Sequence, residues 1–321
     1  MTKPDLLLIG SVTERMMDRL TAEFVVHPLF DQDDRAAWLA ENGSRIVAVA
    51  TDGHYGLTPA PLERLPNLRV VSSYGVGYDG IDAVAAAARG VIVAHTPDVL
   101  NDEVADTAVM LWLAVSRGLV PSDRWARSGN WEAIGGFPLT RSVQGRTVGV
   151  VGFGRIGQTI AARAAMFGAR VLYHARSAKD VPQEYCADLV DMAARSDVLI
   201  VITPGGPATR HLVNAEVLEA LGPDGILINV ARGSVVDEAA LVAALSEGRL
   251  GGAGLDVFEA EPVIPDALKT MENVVLTPHI GSATVETRRA MGDLTCDNLS
   301  QWLKDGTVLT PVPECRALNK V

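Results

Sequence analysis

The sequence predicts an α/β protein of two domains, each built on a parallel sheet. Three observations lead there. At 321 residues the chain is long enough for about two domains at roughly 150 residues each. Short runs rich in Val, Ile and Leu alternate with helical patterns, as βαβ units around a sheet buried on both faces require. Thr96-Pro97-Asp98 breaks that alternation, and a second series begins at Arg146.

In the first series, residues 6–9, 24–26, 45–50, 68–72 and 91–94 read as strands, and 33–40 and 82–88 as helices. The loops Thr51-Asp52-Gly53 and Tyr74-Gly75-Val76-Gly77 follow strand ends, where such sheets bind ligands. A long apolar helix is predicted over 102–117, then a Gly- and Trp-containing stretch up to Gln144. The second series gives strands at 147–151, 170–173, 198–202, 226–230, 254–257 and 274–276, and a final helix over 284–304.

Composition narrows the function. Hydrophobic residues make up 48% and charged residues 21%, and the formal charge is −11 with no Lys/Arg-rich block. That balance argues against a nucleic-acid or anionic-membrane partner, while leaving room for a local site for a small anion. Cys186, Cys296 and Cys315 show no close pairing, so neither a disulfide framework nor a metal site is expected. The apolar run in MTKPDLLLIG is too short for a signal-peptide core, and no stretch approaches the ~18 apolar residues of a membrane span. The expectation is a cytoplasmic protein.

Residues Gly152-Phe153-Gly154-Arg155-Ile156-Gly157 follow a Val-rich strand and open an Ala-rich helix, with a second strand beyond. G-x-G-x-x-G in that setting is a dinucleotide fingerprint: a tight turn, close backbone approach to a pyrophosphate, and close helix–strand packing. A merely structural Gly-rich turn is the alternative. Nineteen residues beyond Gly157, where Asp or Glu usually holds a free ribose 2′-hydroxyl, stand Arg176 and Ser177. A guanidinium there suits the 2′-phosphate of NADP, although a solvated Arg beside NAD would read the same way.

Three groups of complementary chemistry end strands of the second series: Arg232 after ILINV, Glu261 in Glu261-Pro262, and His279 in Thr277-Pro278-His279. Each alone has a structural reading. Together, Arg can clamp a carboxylate, His can move a proton, and Glu can orient the His. Asp256 reads either as a turn former or as part of the site, and Ser234 with Asp237 reads as a capping box.

With these motifs in view, the chain resembles the D-isomer-specific 2-hydroxyacid dehydrogenases, and within them the glyoxylate/hydroxypyruvate reductase branch. YGVGYDGID, HTPDVLNDEVADTAV, GRTVGVVGFGRIGQ, ATRHLVN, INVARGSVVDE, AGLDVFEAEP and TPHIGSAT carry the likeness nearly end to end. The resemblance implies two Rossmann-like or flavodoxin-like domains with a cleft between them that closes over substrate. It places a discontinuous substrate-binding domain at residues 1–98 plus 285–321 and a dinucleotide-binding domain at 99–284.

It further implies that Arg232 binds the substrate carboxylate and keto oxygen, that His279 is the general acid–base, and that Glu261 is its partner. Val230, Ala231 and Asp256 would hold the nicotinamide side of the cofactor, and Thr107, Thr203 and Pro204 its ribose and phosphates. The backbone N–H groups of Val76 and Gly77 would receive the substrate carboxylate. The expected activity is NADPH-dependent reduction of glyoxylate or hydroxypyruvate to a D-2-hydroxy acid. A homodimer is expected through the aromatic stretch that holds Trp125, Trp131, Ile134 and Phe137.

Asp52, an acid on a loop facing an anionic substrate, is expected to repel dicarboxylates or to accept from a substrate hydroxyl. A phosphoglycerate dehydrogenase, a formate dehydrogenase and a nucleotide-sensing corepressor share the core. The first lacks a basic phosphate cluster here, and the second carries Gln in place of Glu261. The third is separated by turnover.

Overall fold

A computed structural model describes residues 2–320. It divides into two compact units, one of residues 1–100 with 284–321 and the other of residues 101–283. The sequence reading put the breaks at 98/99 and 284/285.

The smaller sheet holds β1 (Asp5–Leu8), β2 (Val25–Pro28), β3 (Ile46–Asp52), β4 (Val70–Tyr74) and β5 (Ile92–Ala94) in the order β2-β1-β3-β4-β5. All its pairings are parallel. This is a doubly wound order whose direction reverses between β1 and β3. Helices start where short polar side chains can accept from the first turn: Thr13, Asp34 and Asp82 each cap one. The helix Val285–Asp305, capped by Thr284, returns to this unit and packs along β4. Its buried face includes Met291, Thr295, Cys296 and Leu299.

The larger sheet holds β6 (Thr147–Val151), β7 (Arg170–His174), β8 (Glu184–Tyr185), β9 (Val198–Val201), β10 (Ile226–Asn229), β11 (Gly252–Leu255) and β12 (Val274–Leu276). Their order is β12-β11-β10-β9-β6-β7-β8, again all parallel. The direction reverses between β6 and β9, where such folds bind ligands. Central strands β9 and β10 are buried at every position, which is why they read as unbroken apolar runs.

Two local expectations are corrected. The strand expected at 254–257 runs from Gly252 to Leu255. Helix Asn101–Ser116 presses so closely on it that a Cβ at Gly254 would lie 2.9 Å from that of Leu111, so this strand carries small residues that do not look strand-like. The capping box is not formed either. Ser234 lies in a short 3₁₀ turn, and Asp237 itself caps the helix Glu238–Ser246 by accepting from Ala240 N–H.

Candidate active site

The glycine turn joins β6 to the helix Arg155–Ala165. Gly152 sits at φ +97°, and a Cβ there would lie 2.7 Å from the backbone N of Thr203. At Gly157 a Cβ would lie 2.2 Å from the carbonyl oxygen of Gly152, so the helix can seat on the strand end only without one. Gly154 is different: a Cβ added to it meets nothing within 4 Å. Open space therefore faces the N-terminus of the helix, a ready site for an anion. A side chain at Gly154 would fill that cradle, so the residues present fit the pyrophosphate of a dinucleotide. Arg155 is exposed and Ile156 half-buried beside it. Phe153 turns inward and stacks on Tyr173 at 4.2 Å, leaving only its backbone for a ligand.

Gly152 N–H also donates to the carbonyl of His174, the last residue of β7, which ties that strand end to the turn. Arg176 and Ser177 follow directly and are exposed. Among the described residues Arg176 makes no ion pair, so its charge is available to a ligand. Thr203 and Pro204 follow β9, with Thr203 against Gly152 and the Pro204 carbonyl accepting from Thr209.

Three loops of the same unit carry Arg232, Glu261 and His279. After β10, Asn229 braces the turn: its Oδ1 accepts from Ala231 N–H at 3.1 Å and its Nδ2 donates to the Arg232 carbonyl at 3.1 Å. Val230 and Ala231 are buried there, and the Arg232 guanidinium donates to the Ala231 carbonyl at 2.8 Å. Gly233 abuts the Glu261 loop, since a Cβ on it would lie 1.9 Å from the carbonyl carbon of Phe258. Glu261 Oε1 accepts from Phe258 N–H at 3.0 Å, and its Oε2 meets His279 Nδ1 at 2.8 Å. Burial works against ionisation of Glu261, but the His279 bond and charge, Phe258 N–H and Arg232 outweigh it. The carboxyl is held below its ordinary range.

His279 sits at φ +53°, a backbone conformation costly for a side chain of its size. Asp256 holds it there. Buried at 1% exposure, its carboxylate accepts from Thr277 Oγ1 at 2.7 Å, Ile280 N–H at 2.8 Å and Gly281 N–H at 2.8 Å. Burial raises the Asp256 pKa despite those three donors. Both sequence readings of Asp256 thus meet: it shapes the turn that presents His279. Thr107 is buried in helix Asn101–Ser116 and reaches the same loop, donating to the Gly281 carbonyl at 3.5 Å.

In the other unit, Val76 and Gly77 follow β4. The Gly75 carbonyl accepts from Thr96 N–H at 2.9 Å, and the Val76 carbonyl accepts from His95 Nδ1 at 2.9 Å. Neither the Val76 nor the Gly77 N–H has an acceptor among the described residues. Asp52 ends β3, and its Oδ1 accepts from His54 N–H at 2.9 Å and Tyr55 N–H at 2.8 Å, so the carboxylate caps its own turn.

Sequence reasoning missed Asn229 and His95. The only signal for Asn229 was an amide side chain closing a buried apolar strand, and nothing local marked His95. No cluster of metal-ligating side chains occurs among the described residues, and no single helix there is long and apolar enough to cross a membrane.

Comparison with known proteins agrees with this geometry. The profile of the D-isomer specific 2-hydroxyacid dehydrogenase NAD binding domain matches residues 109–281. The chain is 43% identical to a hydroxyphenylpyruvate reductase of Plectranthus scutellarioides over 307 residues, which covers 95% of this chain and 98% of that one. Identity and coverage are the same for a glyoxylate/hydroxypyruvate reductase of Arabidopsis thaliana. Among solved structures, an NADPH-dependent glyoxylate/hydroxypyruvate reductase of Sinorhizobium meliloti, in complex with NADP and malonate, superimposes with a TM-score of 0.92 at 47% identity, covering 98% of each chain.

Proposed function

The chain belongs to the D-isomer specific 2-hydroxyacid dehydrogenase family, and from that premise we propose that it is an NADPH-dependent reductase of small 2-oxo acids, with glyoxylate and hydroxypyruvate as substrates. The observation that carries the reading is the His279–Glu261 pair, held at 2.8 Å on a loop that Asp256 pins, with Arg232 close enough to lower the Glu261 pKa.

When bound, the reduced nicotinamide supplies the hydride. Gly154, Arg155, Ile156 and Gly157 would hold the pyrophosphate through backbone N–H groups, with Gly152 making the tight turn and the Phe153 backbone lining it. Arg176 and Ser177 take the 2′-phosphate. Thr203 and Pro204 flank the phosphates from the β9 end, and Val230, Ala231 and Asp256 lie towards the nicotinamide. Thr107 supports the His279 loop from beneath. Arg232 holds the substrate carboxylate and polarises the keto oxygen. His279 gives its Nε2 proton to that oxygen as the carbon is reduced, while Glu261 at Nδ1 fixes the ring. The paired N–H groups of Val76 and Gly77 receive the substrate carboxylate.

Residues 101–283 then form the dinucleotide-binding domain, as the profile match supports, and the other unit the substrate-binding domain. The working form is a homodimer. A cytoplasmic location suits its three buried, unpaired thiols. The test is a spectrophotometric panel following NADPH and NADH oxidation with glyoxylate, hydroxypyruvate, pyruvate, phenylpyruvate and 2-ketogluconate. Turnover of the first two with NADPH is expected. No turnover of any 2-oxo acid would leave a nucleotide-binding protein without this activity.

A further inference from the structure

We infer that His95 is a positioning residue for substrate binding, and that it acts by fixing the Val76–Gly77 peptide plane. In a trans peptide the C=O and N–H of one unit point in opposite directions. Pinning one end therefore aims the other. Thr96 N–H holds the Gly75 carbonyl at 2.9 Å, which turns the Val76 N–H away from residues 95–96. His95 Nδ1 holds the Val76 carbonyl at 2.9 Å, which turns the Gly77 N–H the same way. The result is two adjacent donors on one side of the loop with no acceptor of their own, a concave anion site made of backbone.

The two holds are not equivalent. Thr96 uses its backbone and works with any residue except proline, whereas the other needs a ring nitrogen at position 95. His95 is itself anchored from both sides. Its N–H donates to the Thr310 carbonyl at 3.2 Å, and its carbonyl accepts from Thr310 Oγ1 at 2.6 Å. Asn298, fully buried on the last helix, donates to Thr310 Oγ1 at 2.9 Å and accepts from Thr310 N–H at 3.0 Å. The Tyr78 ring packs edge-on against the His95 imidazole at 5.4 Å and keeps it in place. The C-terminal segment thus sets the donor pair through His95.

The inference rests on the reading that Val76 and Gly77 bind a carboxylate, and its test separates the two. Substrate binds through these donors in the ground and transition states alike, so loosening them raises KM and leaves kcat nearly unchanged. A hydrogen bond to a charged group is strong enough that His95→Phe is expected to raise KM for glyoxylate roughly tenfold or more. His95→Asn, whose amide nitrogen can take the place of Nδ1, is expected to restore most of it. Hydrogen exchange in the unliganded protein gives a second readout: segment 75–78 exchanges faster in the Phe variant and at the wild-type rate in the Asn variant. An unchanged KM, or a kcat loss that Asn does not rescue, overturns the inference, as does unchanged exchange in the Phe variant. If the wild type reduces no 2-oxo acid, the functional reading fails on its own, and exchange still decides whether His95 holds the peptide.

Discussion

At the scale of single residues the site separates into two charges with different tasks. If His279 is the proton donor proposed above, its replacement by Asn is expected to lower kcat roughly 10²–10⁴-fold through loss of general acid–base catalysis. Steady-state rates with NADPH and glyoxylate measure this, and near-wild-type turnover would remove His279 from the mechanism. Glu261 tunes rather than reacts. Glu261→Gln keeps an oxygen acceptor for the His279 ring but removes the charge beside it, and is expected to lower kcat less than replacing His279 does. The same carboxyl is linked to folding. Its folded pKa lies below its unfolded one, so its contribution to stability is complete above the ordinary carboxylate range and is lost as pH falls through the folded value. Denaturant titrations should then show the wild type and Gln variant converging in acid. Arg176 is proposed to set a separate choice. One or two charge-assisted hydrogen bonds at about 1.5–3 kcal/mol each correspond to a preference for NADPH of roughly tenfold to several-hundredfold. Arg176→Asp should penalise NADPH far more than NADH, because its carboxylate repels a 2′-phosphate yet accepts from a 2′-hydroxyl. Comparable kcat/KM values for both cofactors in the wild type would refute that assignment.

At the scale of elements, loops at strand ends carry the chemistry and buried polar groups shape them. Asp256→Asn tests this. Asn keeps an oxygen for Thr277 and Ile280 but turns an NH₂ group towards Gly281 N–H, leaving a buried donor unpaired. Such a group costs about 1–3 kcal/mol, more than is recovered by removing a charge that three donors already satisfy. Lower stability in denaturant and a reduced kcat are expected together; wild-type values of both would mean the carboxylate does not hold the loop. The limits of sequence reading lie at this scale too. Strands β9 and β10 were legible because burial on both faces leaves an unbroken apolar run. Arg232, Glu261 and His279 were singled out because reactive side chains stood at predicted strand ends. β8 is only Glu184–Tyr185, too short for any periodicity to register. Asp237 rather than Ser234 became the cap because the chain first makes a 3₁₀ turn. The Asp52 turn was not legible because its Oδ1 serves amides two and three residues on, a local bond that its charge does not announce. His95 depends on a Val76 carbonyl that only folding brings near, and no local pattern encodes that. Asn229 bonds Ala231 and Arg232 close along the chain, but an amide closing an apolar run does not announce that turn.

At the scale of the whole molecule the remaining question is what covers the arm between helix Asn101–Ser116 and β6. Part of the arm closes on itself: Trp125 and Phe137 pack edge to face at 5.9 Å, and Trp125 Nε1 donates to the Gly135 carbonyl. The rest does not. Trp131 is 70% exposed, Ile134 68%, and Leu139 is fully open to solvent. Large apolar side chains grouped on one arm are expected to mark a surface that a partner covers. A second copy of the chain is the occupant expected, because a two-fold axis presents the same patch from both sides. Burying a large apolar side chain contributes roughly 1.5–3 kcal/mol, and two-fold symmetry counts these three twice. The sum is comparable to the roughly 4–15 kcal/mol that association costs, so the arm supplies the core of an interface that its polar surroundings complete. The net charge of −11 on each copy opposes pairing, more so at low salt. Light scattering at micromolar concentration should therefore give twice 34.0 kDa, with dissociation favoured by low ionic strength. Trp131→Lys combined with Ile134→Glu should shift the mass to the monomer while leaving the circular dichroism spectrum unchanged, since neither side chain belongs to a core. A wild-type mass of 34.0 kDa under these conditions would show that the arm is covered by something other than a second copy.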